Sequence, residues 1–284
     1  MNKDTILAVM GVECQDSHLE RLLDHARKSD AHVAMIVIGE SPQIPMGTFA
    51  AMPYGSMELS DKWKSDYSAG NAAVTERAEQ LETLLSDAGV SGDIQVAYDE
   101  AASLGPAVAR RAKICDLVFI SNDLRANMDV FNHVVQGALF GAPAGVVLNL
   151  IPAAAEIDLR NVFVAWNTSL PASRAVHAAL PVLVAADSVE IACFDPVMKE
   201  YRDGQNPGSD VAKWLSHKGC TVSVEQIPSG GLEIGQCILD RAAEFGADLI
   251  VMGAYGHARM RQAVFGGTTR SLVEQARFPV LLAH

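Results

Sequence analysis

The segment from Asp248 to His284 carries the residues whose types and spacing could do chemistry. An apolar, strand-like run at 248–252 leads into two glycines separated by two residues, Gly253 and Gly256, and a second pair at 266–267 precedes two threonines. Glycines let a backbone pass close to a ligand, and the first turn of a helix offers unpaired N–H groups to an anion. This arrangement favours a site for the phosphates of a nucleotide.

The spacing of these glycines, G-x2-G-x9-G after the fourth strand of an α/β unit, resembles the signature of the universal stress protein family. The family domain also begins with a strand ending in V-P-x-D-x-S, and VAWNTS at 164–169 stands at the corresponding place. The resemblance is close over the C-terminal half and only general over the N-terminal half. It implies ATP as the ligand, bound with Mg. The nucleotide contacts that it implies are Ala165, Trp166, Asn167, Met252, Gly253, Tyr255, Gly256, Gly266, Gly267, Thr268 and Thr269.

Two positions depart from the family pattern. Asn167 stands in place of the usual Asp and brings no charge, and Gly267 replaces the usual Ser, which removes one hydroxyl from the phosphate cradle. The two threonines after Gly267 can compensate. Three arginines also offer positive charge: Arg259, Arg261 and Arg270. The alternative is a tight connection whose glycines make only turns and caps. The spacing, the helix start and the matching first strand together favour the nucleotide site.

Other nucleotide-binding and catalytic motifs are absent from the sequence. It has no Gly-Lys pair for a Walker A loop and no G-x-G after a first strand. SGGLE at 229–233 is similar to the loop of ATP pyrophosphatases, but it follows the third strand instead of the first, so it predicts a turn with Glu233 at a helix start. His257 adjoins the proposed phosphate loop without a matched base or metal ligand. The pattern therefore predicts neither catalytic nor metal-binding residues.

The composition restricts the classes of partner. The 284 residues include 34 acidic and 22 basic side chains, a formal charge of −12, which disfavours binding to nucleic acid or to an anionic membrane. An apolar stretch at 137–155 is interrupted by Pro143, Asn149 and Pro152, which predicts a strand and a linker, not a membrane span. Five isolated cysteines, and a first apolar run that predicts a strand and no signal peptide, favour a cytoplasmic protein with structural thiols.

Short apolar runs alternate with amphipathic stretches, and the series occurs twice. Strands are predicted at 5–10, 32–38, 94–98, 116–120, 145–150, 161–166, 188–194, 221–227, 248–252 and 279–283. Helices are predicted near 17–29, 68–88, 103–113, 131–141, 172–186, 208–218, 233–245 and 268–276. The order predicts an α/β fold of two tandem Rossmann-like (adenine nucleotide alpha hydrolase-like) domains, each a five-stranded parallel sheet with flanking helices.

The two halves differ in the residues that come after their fourth strands. We predict a degenerate universal stress protein domain at 1–152 and one that keeps the nucleotide-binding motif at 153–284. The first half has SNDL at 121–124 where the second has its first two glycines, so side chains would crowd a phosphate there. The family resemblance implies that the halves pair through their fifth strands as a pseudo-dimer within one chain, and a homodimer stays open. The segment at 41–70 predicts a longer helix and an ordered surface loop, with a lid or docking segment as the alternative.

These observations predict a stress-response protein that binds an adenine nucleotide in its C-terminal domain. The predicted role is that of a non-catalytic sensor or signalling protein, acting through protein partners that the sequence does not identify. Two alternatives stay open. One is a slow ATP hydrolase with His257 as the base, and the other is a scaffold for protein interactions without a ligand.

Overall fold

The structure is a computed structural model that describes residues 4–44, 59–150, 159–254 and 266–284. The first half contains β1 (Thr5–Met10), α1 (Asp16–Ser29), β2 (His32–Glu40), α2 (Asp61–Ala88), β3 (Gly92–Asp99), α3 (Ala101–Ala112), β4 (Leu117–Ile120), a short 3-10 helix (Asn122–Ala126), α4 (Met128–Gly141) and β5 (Gly145–Leu148). The second half contains β6 (Asn161–Ala165), α5 (Leu170–Ala178), α6 (Leu180–Ala185), β7 (Ser188–Phe194), α7 (Ser209–His217), β8 (Val222–Ile227), α8 (Ile234–Phe245), β9 (Leu249–Gly253), α9 (Gly267–Glu274) and β10 (Val280–Ala283).

All ten strands of the described residues join one sheet, in the order β3-β2-β1-β4-β5-β10-β9-β6-β7-β8. Within each half the strands are parallel, and the two halves meet where β5 and β10 pair antiparallel, with Val280 opposite Leu148 and Leu282 opposite Val146. The predicted five-stranded halves and their pairing through the fifth strands are therefore confirmed. The strands nearest this junction are fully buried, as expected for a parallel sheet covered on both faces.

Helices cover both faces of the sheet. On one face α3 and α4 of the first half and α8 and α9 of the second half share a single apolar cluster, in which Phe131 and Phe163 are completely buried. On the opposite face α1 and α2 pack on the first half, and α5, α6 and α7 pack on the second half, in two further clusters. The cluster that spans both halves means that they share one core on the α8–α9 face.

Two helices differ from the sequence prediction. Helix α2 begins at Asp61 and not near 68, because the Ser60 side chain caps it by accepting a hydrogen bond from the Trp63 N–H. The single helix predicted at 172–186 is divided at Ala179 into α5 and α6. Pro181 has no N–H to donate to the preceding turn, and its ring crowds the carbonyl of residue 177, so the helix cannot continue regularly.

The apolar stretch at 137–155 contains the end of α4 and strand β5, as predicted. Among the described residues, no helix has the length and the apolar character that crossing a membrane requires. The five cysteines are buried, free thiols, and burial raises the pKa of the Cys193 thiol to about 11. The longer helix predicted within 41–70 is confirmed, because α2 begins at Asp61. The predicted loop includes residues 45–58, which lie outside the described residues, so it stays a prediction. The predicted domain boundary at 152/153 falls within 151–158, also outside the described residues, and it stays a prediction as well.

Arg125 links the two halves through hydrogen bonds. Its guanidinium donates hydrogen bonds to the Asn149 side chain (2.7 Å) and to the carbonyls of Val273 (2.8 Å) and Gln275 (3.2 Å) at the end of α9. It also lies 4.2 Å from the centre of the Phe131 ring. Burial lowers the pKa of Arg125, and a cation is favoured at the C-terminal end of a helix, where the free carbonyls carry partial negative charge.

Replacing Arg125 with Met should lower the free energy of unfolding by about 2 to 3 kcal/mol, because several half-buried carbonyls lose a charged donor. Urea denaturation measures the change. Arg277→Met is the matched control, because Arg277 also stacks on a phenylalanine ring, at 4.8 Å, and its loss should cost less than about 1 kcal/mol. Equal losses in the two variants would contradict the role of Arg125 as a link between the halves.

Candidate functional site

The carboxyl ends of β6 and β9 lie side by side. Ala165 at the end of β6 is in register with Met252 near the end of β9, and β6 has β9 on one side and β7 on the other. The chain therefore changes direction across the sheet between β6 and β9. In open α/β sheets, ligands bind in the crevice at such a point, outside the carboxyl ends of the strands.

Helix α9 begins at this same edge. It must return the chain from the end of β9 to the start of β10, because Val280 lies in register with Ile250 near the start of β9. Gly266 is the extended N-cap residue, with φ −67° and ψ 160°, and among the described residues no side chain caps this terminus. The first hydrogen bond of the helix runs from the Arg270 N–H to the Gly266 carbonyl (2.8 Å). The preceding N–H groups can therefore be offered to an anion.

The predicted site residues have different surroundings at this edge. Thr269 is buried within the fold, Thr268 and Gly266 are half-buried, and Gly267 is exposed. Met252 is buried in the core shared by the two halves. Two predicted contacts, Tyr255 and Gly256, lie outside the described residues, as do His257, Arg259 and Arg261.

Gly253 is required by packing alone. A Cβ at this position would lie 2.3 Å from the backbone nitrogen of Ala172 and 2.6 Å from the carbonyl carbon of Pro171, so the start of α5 passes directly over the end of β9. Both obstacles are backbone atoms and cannot move aside as a side chain can. Packing against α5 therefore explains the first glycine of the motif, whether or not a ligand binds.

Asn167 and Trp166 leave β6 in different directions. The exposed Asn167 accepts a hydrogen bond from the Ser169 hydroxyl (2.6 Å), and Ser169 in turn caps α5 by accepting from the Ala172 N–H (3.3 Å). The Trp166 indole lies on the α5–α7 face, where it lines a cavity of about 180 Å³ with residues that include Trp214. Ala165, the residue before Trp166, lies on the α8–α9 face, because side chains alternate along a strand.

A carboxylate that sequence reasoning missed lies beside the end of β6. Asp203, in the loop after β7, accepts hydrogen bonds from the Val197 N–H (2.7 Å) and from the Thr168 N–H (3.4 Å). Burial acts to raise the pKa of Asp203, but these hydrogen bonds outweigh it and the pKa is lowered. A negative charge is thus present one residue from uncharged Asn167. No motif marks it, because the contact depends on the folding of the loop.

Glu233 is a second carboxylate, whose contact with α9 the sequence does not predict. Its place at a helix start was predicted and is confirmed, since it is the N-cap residue of α8. Its side chain crosses to α9, where Oε1 accepts a hydrogen bond from the Ser271 hydroxyl (2.9 Å). The spacing of SGGLE along the chain contains no signal for this contact, because the packing of α8 on α9 creates it.

The corresponding edge of the first half is filled by Asp123. Residues 122–126 form the 3-10 helix, and Asp123 Oδ2 lies 2.6 Å from the place of a Cβ on Gly11 at the end of β1. Burial raises the pKa of Asp123, although hydrogen bonds from Ser121 and from the backbone of Gly11 and Leu124 act in the opposite direction. A carboxyl group thus lies where an anion would enter, which supports the prediction of a degenerate first half.

Comparison with known proteins gives the same family for the C-terminal end. Residues 223–284 match the model of the universal stress protein family. The structure is similar to a universal stress protein from Archaeoglobus fulgidus DSM 4304, with 14% identity and a TM-score of 0.65 over 98% of this chain and 97% of that chain. It is also similar to a functionally unknown protein from Pseudomonas aeruginosa PAO1, with 13% identity and a TM-score of 0.56 over 99% of this chain and 92% of that chain. No curated protein sequence matches the chain.

The fold defines a class of α/β proteins with a mostly parallel sheet, flanking helices and two repeated halves, and the full-length structural likeness to a universal stress protein agrees with it. The match of residues 223–284 to the universal stress protein family model confirms, for this part of the chain, the resemblance stated from the sequence.

Gly253→Ala should lower the free energy of unfolding by about 1 to 3 kcal/mol in protein without ligand, because the new methyl group collides with the backbone of α5. Gly267→Ala is the contrast. Among the described residues its Cβ would meet the movable end of the Glu233 side chain, at 3.2 Å, and we expect a loss below about 1 kcal/mol. Thermal and urea unfolding provide the measurements. A Gly253→Ala protein as stable as the wild type would show that packing does not require this glycine.

Proposed function

We propose that the C-terminal half binds an adenine nucleotide, ATP with Mg, and that the protein acts as a non-catalytic sensor or signalling protein in the stress response. One observation carries the proposal. The start of α9 has no side-chain cap among the described residues and lies at the carboxyl edge of the sheet, beside the point where strand order reverses between β6 and β9. An open helix N-terminus in that position suits the phosphates of a nucleotide.

The position of the other predicted contacts supports the same ligand. The backbone from Ala165 to Asn167 lies next to Met252 and Gly253, so a base or ribose can contact one group while the phosphates reach the start of α9. Asn167 and Thr268 supply polar side chains without requiring a catalytic role. The ligand contacts, including Tyr255 and Gly256, belong to this proposal.

The sensor role is supported by the groups that the described part of the site offers. It provides backbone donors and hydroxyl groups that bind an anion. Its two carboxylates, Asp203 and Glu233, accept hydrogen bonds from the protein, and acid–base catalysis requires a base held at a reacting atom. Among the described residues no cluster of histidine, cysteine, aspartate and glutamate could hold a metal ion, so in this proposal Mg accompanies the nucleotide phosphates. The proposal includes a cytoplasmic location and protein partners that are not identified. The hydrolase and the scaffold are the alternatives that binding and turnover measurements address.

Thr268→Asp should weaken ATP binding at least about tenfold, because it places a negative charge in the first turn of α9 beside the incoming phosphates. The fold should tolerate the change, since acidic side chains favour the first turn of a helix. Thr268→Asn is the matched neutral control and should retain affinity within about threefold. Isothermal titration calorimetry measures both variants. Equal ATP affinity in wild type and Thr268→Asp, with both folded, would contradict the assignment of α9 as the phosphate site.

ATP or ADP should bind at no more than one site per chain. The first half lacks the glycines and holds the Asp123 carboxyl at the equivalent edge, where it takes the space that a phosphate would need. The number of sites comes from calorimetric titration of protein whose concentration is known from amino-acid analysis. Two equivalent sites per chain would contradict the degenerate nature of the first half.

A further inference from the structure

Glu233 has a position that its role as a helix cap does not explain. It is the N-cap residue of α8, yet its side chain makes no capping hydrogen bond to that helix. The carboxylate instead accepts a hydrogen bond from Ser271 of α9 (2.9 Å), and the same hydroxyl lies 3.0 Å from the Gly267 carbonyl. A carboxylate group therefore lies beside the start of the neighbouring helix, 3.2 Å from the place of a Cβ on Gly267.

The close approach of the two helices holds Glu233 at this place. A Cβ on Gly235 of α8 would lie 2.6 Å from the Cβ of Ser271 and 3.3 Å from the Cα of Thr268. Since a larger residue at 235 would push the helices apart, Gly235 sets their spacing. Residues 233 and 234 then enter α8 directly beside the start of α9.

Gly267 and Glu233 occupy complementary positions. A Cβ on Gly267 would lie 3.2 Å from Glu233 Oε1, which is tighter than most contacts of a real Cβ. Position 267 is the one where the family pattern has a serine. In this chain the missing side chain leaves room that the Glu233 carboxylate uses, so a neutral hydroxyl is replaced by a negative charge at the start of α9.

We propose that Glu233 is a specificity-determining residue that makes the site select against highly charged phosphate chains. This inference rests on the proposed nucleotide site. A carboxylate at the start of α9 opposes the attraction between the helix terminus and phosphate, and the opposition grows with the number of phosphate charges. The site therefore binds ATP less tightly than its backbone geometry alone allows, whereas the adenosine part of the ligand is unaffected.

The test compares the wild type with Glu233→Gln, which keeps an acceptor for Ser271 and removes the charge. Calorimetry at low ionic strength measures the binding of adenosine, AMP and ATP, the last with and without Mg. In Glu233→Gln we expect the Kd for ATP without Mg to fall about tenfold, the Kd for AMP to fall less, and the Kd for adenosine to stay the same. Because Glu233 is exposed, salt should screen its charge, and the gain should shrink at about 0.5 M salt. Asp240→Asn is the control, since it removes an equal charge from a position two turns further along α8.

The outcomes separate this inference from the proposed function. If ATP binds the wild type and Glu233→Gln with the same Kd, the inference is wrong and the nucleotide site stands. If Glu233→Gln raises the affinity for adenosine as much as the affinity for ATP, a specific charge effect is ruled out. The same holds if Asp240→Asn raises the affinity for ATP as much as Glu233→Gln does. If neither protein binds adenosine, AMP or ATP, the proposed function is wrong and the inference falls with it.

A second measurement needs no ligand. Gly267→Ser should lower the Tm in the wild-type background, where the new side chain meets the Glu233 carboxylate, and the loss should be at least halved in the Glu233→Ala background. Equal losses in the two backgrounds would show that positions 233 and 267 are independent, and would remove the steric basis of the inference.

Discussion

The antiparallel pairing of β5 with β10 is the constraint on which the rest of the structure depends. Both strands are short, apolar and fully buried. A half on its own would expose one of them as a sheet edge with unpaired N–H and C=O groups, which is unfavourable in water and promotes association with other chains. Their pairing removes both edges at once and brings α4 and α9 into one core. The Arg125 contacts to the end of α9 belong to this same junction.

The two ends of α9 have different surroundings. The first half contributes Arg125, which stabilises the carboxyl end of α9, while the other end has no side-chain cap among the described residues. In the first half a buried carboxyl, Asp123, takes the corresponding place. Among the described residues, the same strand order thus carries different side chains at the two corresponding edges.

Glycines of one motif are required for different physical reasons. Gly253 is required because the backbone of α5 passes over it, and this holds for any ligand or none. Among the described residues, a Cβ on Gly267 would meet the end of the Glu233 carboxylate, so the small size of Gly267 leaves space for that group at the start of α9. A motif interpreted as a phosphate cradle therefore also contains a packing constraint. The two effects have different consequences, since one changes stability and the other changes the electrostatics of the site.

The amino-acid sequence alone was enough to predict the succession of strands along each half, whereas the degenerate first half and the nucleotide contacts stay predictions. Apolar periodicity and the glycine spacing are local properties of the chain, so they can be recognised without knowing which elements pack against them. Element boundaries were less certain where a cap or a proline decided them, as at Ser60 and Pro181. The contacts of Glu233 with Ser271 and of Asp203 with Thr168 emerged only from the folded chain. They join residues 38 and 35 positions apart, and their geometry depends on helix spacing and loop folding that no local pattern encodes.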